Sequence, residues 1–297
     1  MRFNRIRPTS ALIFFSSAVL LSGCAAFRSA GWDSNTSPTE GSAVEAKQAI
    51  ERGLTHWLKR DQRPDLEMAL AEFGKAAEAE PSNFDNLILL TRGYYILADG
   101  HLEDLEEKKQ TWDRGTAWGE RALATNAAFK KKVKEEGRNL EDALDVLTKR
   151  EVPALYWTAV NLGKWARLSG LGTMLKYKNR IKMMVERVEQ LEPLFFHGAV
   201  PRYWGTYYAV APGFAGGSME KSFAQYERSL KLENNYFGTH VLFAENYATR
   251  KNDRELFKKH LNFVLNGKPA SMPGLEPEQR LEQNKAKKML EQIEDLF

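Results

Sequence analysis

Apolar residues recur at helical spacing over most of the chain, and no stretch from residue 44 onward alternates apolar and polar residues as a strand does. Most prolines fall between these periodic stretches, where they begin or stop helices. The pattern predicts helices at residues 44–60, 64–80, 84–99, 102–126, 139–149, 152–168, 171–192, 197–210, 218–233, 236–250, 253–266 and 277–296. The chain is therefore predicted to be all-α.

Several of the predicted helices form pairs that carry fragments of a repeat. Residues 69–81 (Ala-x₃-Phe-x₂-Ala-x₄-Pro) have the spacing of the second helix of a tetratricopeptide repeat, and residues 222–234 (Ser-x₃-Tyr-x₂-Ser-x₄-Asn) follow it loosely. Arg121 occupies the aromatic position of another pair. Stacked pairs predict a tetratricopeptide-like helical-repeat array (an α-solenoid) with a C-terminal capping helix at 277–296. A helical bundle without repeats is the alternative.

Residues 1–23 have the pattern of an export signal. Three arginines begin it, and an apolar run at 11–21 follows that is short for crossing a bilayer. The sequence Leu-Ser-Gly-Cys at 21–24 resembles a bacterial lipobox, in which the cysteine is acylated and becomes the first residue of the mature chain. The alternative is a plain signal peptide with a chance cysteine.

Cys24 is the only cysteine, which favours its lipidation and excludes an intrachain disulfide. Acyl chains hold a protein at a membrane surface. Ala25 stands where Gram-negative sorting would need Asp for inner-membrane retention, which predicts the periplasmic face of the outer membrane. Residues 24–43 are small, polar and rich in Gly and Ser, so they are predicted to form a flexible tether before a helical-repeat domain at 44–297.

Charge and histidine content exclude several classes of protein. The chain has 43 basic and 39 acidic residues, and without the three arginines of the signal the formal charge is +1. A nearly neutral surface does not fit a nucleic-acid-binding protein. The five histidines show no metal-binding spacing, so neither a metal site nor a cofactor is predicted.

One short motif suggests catalysis. Ser218 and Lys221 match the S-x-x-K motif of penicillin-recognising serine enzymes, but the companion S-D-N and K-T-G motifs are missing. The glycines at 216–217 favour a simpler interpretation, in which Ser218 caps the N-terminus of helix 218–233. A hydrolase acting through Ser218 is the enzyme alternative, whereas the prediction is a non-enzyme with no catalytic residue.

Aromatic residues are concentrated between residues 156 and 226. One face of an aromatic helix can pack in the core while another lines a cavity, and aromatic walls are typical of ligand sites. The residues predicted to bind a ligand are Tyr156, Trp157, Tyr203, Trp204 and Tyr207. For each of these side chains, packing in the core is the alternative.

A series of short motifs resembles a known family. The markers are EVPALYW at 151–157, Glu-Pro at 192–193, His-Gly at 197–198, GGSMEK at 216–221 and EDLF at 294–297. In this order, and together with the lipobox, they resemble the TatT component of tripartite ATP-independent periplasmic (TRAP) transporters, a tetratricopeptide-like lipoprotein. The lysine-rich stretch 126–150 departs from that pattern.

The resemblance implies a helper protein without enzymatic activity. Proteins of this family are helical-repeat scaffolds with a central cavity or pore, and they form homo-oligomers such as trimers. They are thought to bind the periplasmic solute-binding protein of the transporter and to pass it a ligand of hydrophobic character. On this basis the chain is expected to be a membrane-anchored scaffold for TRAP-type solute uptake.

The main alternative is an outer-membrane assembly or envelope-maintenance lipoprotein. It would share the lipobox and the helical repeats, but its partner would be a membrane β-barrel or a cell-wall enzyme. A neighbouring gene for a solute-binding protein would favour the transport interpretation.

Overall fold

The computed structural model describes residues 27–33 and 42–297, and within these ranges it contains helices and connecting turns but no strand. None of the described helices is both long and apolar enough to cross a bilayer. The α-helices are α1 (Ser42–Trp57), α2 (Arg63–Ala79), α3 (Phe84–Ile96), α4 (Leu105–Leu123), α5 (Ala127–Lys130), α6 (Val152–Leu168), α7 (Leu171–Leu191), α8 (Phe195–Val210), α9 (Met219–Leu232), α10 (Phe237–Phe243), α11 (Thr249–Lys251), α12 (Arg254–Asn266), α13 (Glu276–Glu291) and α14 (Ile293–Leu296). The all-α prediction is confirmed.

Local sequence explains where many of the long helices begin. Asn83, Asp104 and Asp253 accept a hydrogen bond from the backbone N–H three residues later, at 3.1, 2.8 and 2.9 Å, and so cap α3, α4 and α12. Pro64 and Pro153 lie in the first turn of α2 and α6, where no backbone donor is needed. With such signals, most long helices begin and end within about three residues of the predicted positions.

The segment between α4 and α6 differs from the prediction. The helix predicted at 139–149 is instead a pair of 3-10 turns, Leu140–Val146 and Lys149–Glu151. The short helix α5 and the π-helical turn that follows it at Lys131–Glu135 were not predicted. Segments this short contain too few residues for the sequence pattern to distinguish an α-helix from a 3-10 or a π-helix.

Consecutive long helices pack on one another, as in α1 on α2 and α8 on α9. In the first pair Gly53 lies against the ring of Phe73, so closely that a Cβ atom at residue 53 would be 2.4 Å from it. In the second pair Gly205 lies against Tyr226, with a corresponding distance of 2.8 Å. Two helix pairs that are distant in sequence therefore use the same glycine-to-aromatic contact to bring their axes close together.

The hydrophobic interior has a large part and two smaller ones. The large cluster extends from Trp57 to Trp204 and also takes in Leu281 of α13. A second cluster joins α10, α12 and α13 around Phe237, Phe257 and other side chains. A third consists of small residues between α1 and α2. Because α13 contributes to two of these clusters, it connects both ends of the helix stack.

Charged contacts reinforce this connection. Glu278 of α13 pairs with Arg60, after α1, and with Arg92 of α3. Arg280 of α13 reaches Asp61 at 2.6 Å. The last long helix therefore bridges α10 and α12 to the N-terminal helices, in addition to covering the final helix pair.

Part of the predicted tether packs on the helical body. Arg28 pairs with Asp113 at 2.5 Å and with Glu120 at 2.6 Å, both on α4, and the backbone N–H of Gly31 donates to Glu120 at 2.7 Å. The ring of Trp32 lies against another aromatic ring, 5.8 Å between centres. Cys24, the predicted signal peptide at 1–23 and residues 34–41 lie outside the described part of the chain.

Candidate functional site

One side of α6 faces a cavity inside the helix stack. The helix follows a capping box, in which the Glu151 carboxylate accepts from the Thr148 backbone N–H at 2.8 Å and the Thr148 hydroxyl accepts from the Arg150 N–H. This box begins the 3-10 turn Lys149–Glu151, and α6 continues directly from that turn. The residues of α6 on the cavity wall include Tyr156, Trp157, Val160, Gly163, Lys164 and Arg167.

Helix α8 supplies another part of the wall. Its regular portion follows three consecutive residues in the left-handed region, Phe196, His197 and Gly198, with φ values of 42°, 55° and 72°. Such backbone is uncommon for residues other than glycine. The turn sets the direction of the helix, and the wall residues of α8 then follow helical spacing: Arg202, Tyr203, Thr206, Tyr207 and Val210.

The cavity has a volume of about 510 Å³, which is within the range of sites for small organic ligands. Helices α3, α4, α7, α10 and α13 complete its wall. Their apolar and aromatic wall residues include Tyr95, Leu105, Trp112, Met174, Ile181, Val241, Leu242 and Met289. The wall of the cavity is therefore mainly apolar, with aromatic rings on several sides, and the cavity is open to solvent on part of its surface.

The ligand-binding residues predicted from the sequence fall in two groups. Those on the cavity wall are Tyr156, Trp157, Tyr203 and Tyr207. Trp204 points elsewhere: its indole N–H donates to the Glu189 carboxylate at 3.2 Å, and its ring stacks on Tyr208. The side chains at 156 and 157 are almost wholly buried, so they serve the core and the wall at once.

A charged cluster on the wall was not predicted. Asp99 accepts from Lys164 Nζ at 2.7 Å and pairs with Lys285, which also reaches Glu282 at 2.9 Å. Burial acts to raise the pKa of Asp99, but the two ammonium groups hold it well below its usual range. Burial also raises the pKa of Glu282. No motif links these residues, because the π-helical turn at 97–101 and α13 meet only in the folded chain.

Arg202 is a buried cation on the same wall, with 3% of its surface exposed. Its guanidinium donates to the carbonyl oxygens of His197 and Phe196, at 2.8 and 3.3 Å, and to the Thr239 hydroxyl at 3.2 Å. Its Cζ lies 4.2 Å from the ring centre of Tyr236. Burial acts to lower the pKa of Arg202, but Tyr156, which also hydrogen-bonds to the side chain, and Tyr236 raise it above its ordinary value.

Phenol hydroxyls line the cavity near this cation. Tyr95, Tyr156 and Tyr236 are wall residues whose phenol groups interact with the charge of Arg202. Burial raises the pKa of Tyr236 to about 12 and raises the pKa of Tyr203 as well. A phenol hydroxyl can donate a hydrogen bond as well as accept one.

The other residues singled out in the sequence have structural roles in this fold. The Ser218 hydroxyl accepts from the Lys221 backbone N–H at 3.3 Å and caps α9, which confirms the helix-cap interpretation. His240 and His260 form a buried pair between α10 and α12. Among the described residues, no group of three or more His, Cys, Asp and Glu side chains is arranged to hold a metal ion.

Comparison with known proteins identifies relatives. A protein described as uncharacterized from Treponema pallidum (strain Nichols) is 28% identical over 162 residues, which is 54% of this chain and 50% of that protein. The chain thus spans about half the length of this curated relative. The family model for the TRAP transporter T-component matches residues 98–297, a range that contains all of the cavity wall except Tyr95. On this match, the chain belongs to the TRAP transporter T-component family.

Proposed function

We propose that this protein is a lipid-anchored periplasmic scaffold that binds the solute-binding protein of a TRAP transporter and takes up a small ligand in its cavity. Its family is a transporter accessory family and not an enzyme family. The observation that carries the ligand part of the proposal is the aromatic-walled cavity of about 510 Å³ within the matched region.

In this proposal the ligand contacts the aromatic wall directly. Tyr156, Trp157, Tyr203 and Tyr207 line the cavity and would touch the ligand. Trp204 packs edge-on against Tyr207, with 5.6 Å between ring centres, and would support the wall from behind. Aromatic rings bury a large apolar area with few rotatable bonds, which suits a ligand of hydrophobic character.

We further propose that residues 44–297 form a tetratricopeptide-like array. The matching contacts of Gly53 with Phe73 and of Gly205 with Tyr226 support this interpretation, because close packing of a small residue against an aromatic one joins the two helices of such a repeat. The contacts of α13 with both ends of the stack would turn an open array into one that encloses a cavity.

Acylation of Cys24 would hold the protein at the periplasmic face of the outer membrane. Since residues 27–33 pack on α4, the acyl chains would lie only a few residues from the helical body. Metabolic labelling with an alkyne fatty acid should mark the unmodified chain and not the Cys24→Ser variant. Equal labelling of both chains would contradict the proposal.

The partner can be tested by an affinity pull-down from detergent-solubilised envelope, with Cys24 intact. Recovery of a periplasmic solute-binding protein is the expected result. Recovery of β-barrel assembly or cell-wall proteins, without a solute-binding protein, would contradict the transport role and support an envelope-maintenance function.

A homo-oligomer such as a trimer is also part of the proposal. Sedimentation equilibrium of the purified protein should give a mass that is a multiple of the single-chain mass of the mature protein. A single-chain mass at every concentration tested would remove this part of the proposal and leave the partner and ligand parts unaffected.

A further inference from the structure

The cavity wall carries an excess of positive charge. Its basic side chains are Lys108, Lys164, Arg167, Lys178, Arg202, Lys285 and Lys288, and its acidic side chains are Asp99, Glu245 and Glu282. Two of the acidic groups already pair with Lys164 and Lys285. The net positive charge of the wall therefore comes from the basic side chains other than Lys164 and Lys285.

Arg202 differs from the other cations of the wall. Arg167 is exposed to solvent, Lys108 and Lys178 are only half-buried, and Lys288 pairs with Glu103, so water or a carboxylate compensates the charges of these side chains. Arg202 is 3% exposed, and no carboxylate of the described residues lies within ion-pair distance of it. Burying a cation without a counter-ion is costly, and an anion bound beside it would offset that cost.

The hydrogen bonds of Arg202 within the protein compensate its charge only in part. The acceptors are the backbone carbonyl oxygens of residues 196 and 197 and the hydroxyl groups of Tyr156 and Thr239, none of which is a carboxylate, so no acidic side chain balances the charge of the guanidinium. These bonds fix the guanidinium beside the left-handed turn, on the wall of the cavity. A guanidinium held in this way is preorganised to receive an acidic group.

The surroundings of Arg202 fit both ends of an amphipathic ligand. Tyr95, Tyr156 and Tyr236 add phenol hydroxyl groups near the cation, and a phenol hydroxyl can donate a hydrogen bond to an anion. Further along the wall, Trp157 and Met289 are among the side chains that offer apolar surface. One region of the cavity is thus cationic and rich in donors, and the rest is apolar.

We propose that the cavity binds an organic anion, whose acidic group pairs with Arg202 and whose apolar body lies against the aromatic wall. This inference rests on the proposed role of the cavity as a ligand site, and it adds the chemical class of the ligand. The expected ligand is therefore an anion and not a neutral hydrophobic molecule. A neutral molecule would displace water from the guanidinium without offering it a charged partner.

Two fluorescent probes of nearly equal shape test the proposal. One is 8-anilinonaphthalene-1-sulfonate, an anion, and the other is N-phenyl-1-naphthylamine, which has the same aromatic body without the charge. Both are titrated against the whole mature chain from residue 24, with Cys24→Ser so that no acyl chain competes for the cavity. The anion should bind about tenfold more tightly or better, because a charge-assisted hydrogen bond to Arg202 adds to the apolar contact.

Variants assign that preference to one side chain. Arg202→Met should weaken binding of the anionic probe by about tenfold and should change the affinity for the neutral probe by less than about twofold. Arg167→Met removes the same charge from an exposed position on the wall and should leave both probes nearly unchanged. Because Arg202 also supports the left-handed turn, circular dichroism is recorded for each variant. If Arg202→Met does not fold, Tyr156→Phe replaces it, because this substitution removes one hydroxyl group near the guanidinium. It should weaken binding of the anionic probe and leave binding of the neutral probe unchanged.

Each outcome decides a different question. Equal or tighter binding of the neutral probe would overturn the anion assignment and leave the cavity as a ligand site. Unchanged binding of the anionic probe to a folded Arg202→Met variant would also overturn it. Binding of neither probe would overturn both the anion assignment and the ligand part of the proposed function, whereas the pull-down of a solute-binding protein tests the scaffold role separately.

Discussion

The surroundings of the buried pair His240 and His260 determine which ring nitrogen atoms carry a proton and keep both rings neutral. The Nε2 atom of His240 lies 2.9 Å from the carbonyl oxygen of Asn234, which can only accept, so Nε2 carries the proton. Its Nδ1 atom therefore accepts a hydrogen bond from Nδ1–H of His260 at 2.9 Å. Burial lowers the pKa of His240 to about 4 and that of His260 to about 3, so the pair is neutral near pH 7.

This pair should make the stability of the protein depend on pH. An unfolded histidine has a pKa near 6.5, so between about pH 6.5 and pH 4 the unfolded chain binds more protons than the folded chain. Stability is then fully present above this window and falls as the pH drops through it. Between pH 7 and pH 5 the free energy of unfolding should decrease by about 2–4 kcal/mol, measured by urea denaturation.

A variant separates this contribution from that of other titrating groups. His260→Gln keeps a donor for His240 Nδ1 but does not titrate, so about half of the pH-dependent loss should disappear. Identical slopes for the parent and the variant would show that the pair does not cause the dependence.

Two tryptophans on neighbouring parts of the fold should respond differently to the same substitution. Trp157 lines the cavity, whereas Trp204 is buried behind the wall and donates to Glu189. Trp157→Phe should change the affinity for N-phenyl-1-naphthylamine several-fold, and Trp204→Phe should leave it within about twofold. Phenylalanine is chosen because a full truncation of a buried tryptophan can cost about 3–5 kcal/mol of stability. Equal effects of the two substitutions on affinity would show that the cavity is not the binding site.

The first turn of α8 adopts a conformation that helical periodicity does not specify. Phe196, His197 and Gly198 turn the chain through the left-handed region, and the carbonyl oxygens of the first two accept from Arg202. A Cβ atom on Gly198 would also lie 2.8 Å from the Ser229 hydroxyl of α9. Both the left-handed backbone and the close approach of α9 therefore favour glycine at residue 198.

Alanine substitution of glycines in two settings tests this interpretation. Gly198→Ala should lower the free energy of unfolding by about 1–3 kcal/mol, because it adds both a strained φ and a close contact. Gly74→Ala, inside α2 with no atom within 4 Å of the new methyl group, should raise it by about 0.5–1 kcal/mol. Both values come from urea denaturation, and stabilisation by Gly198→Ala would exclude the strain argument.

The closure of the whole molecule depends on α13. Glu278 is 9% exposed and lies between Arg60 and Arg92, whereas Lys288 forms an exposed pair with Glu103. Removing one partner of a buried ion pair leaves charges uncompensated, while an exposed pair contributes little.

Breaking these two contacts should therefore have unequal effects. Glu278→Gln should cost about 3–5 kcal/mol of stability, and Lys288→Gln should cost less than about 1 kcal/mol. Thermal or urea denaturation of the two variants provides the measurement. Similar small effects for both would mean that the buried contacts of α13 do not hold the two ends of the stack together.

Several parts of the fold and the site were predictable for identifiable reasons. Asn83, Asp104 and Pro153 mark helix starts through bonds or ring geometry that involve only neighbouring residues. The aromatic density around residues 156 and 203–207 is visible in sequence, and four of the five predicted residues lie on the wall, but the sequence did not show that Trp204 points away from it. Arg202 and the cluster around Asp99 could not be predicted, since nothing local distinguishes a buried charge from a solvated one.

The sequence by itself determined the all-α class, most helix bounds and the family, because periodicity, caps and short motifs depend on residues close together in the chain. The tertiary structure alone decided that α13 meets the π-helical turn at 97–101, that Trp204 turns away from the cavity and that Arg202 is buried on its wall. These features depend on contacts between residues tens to hundreds of positions apart. Their burial and charge environment exist only once the helices have packed.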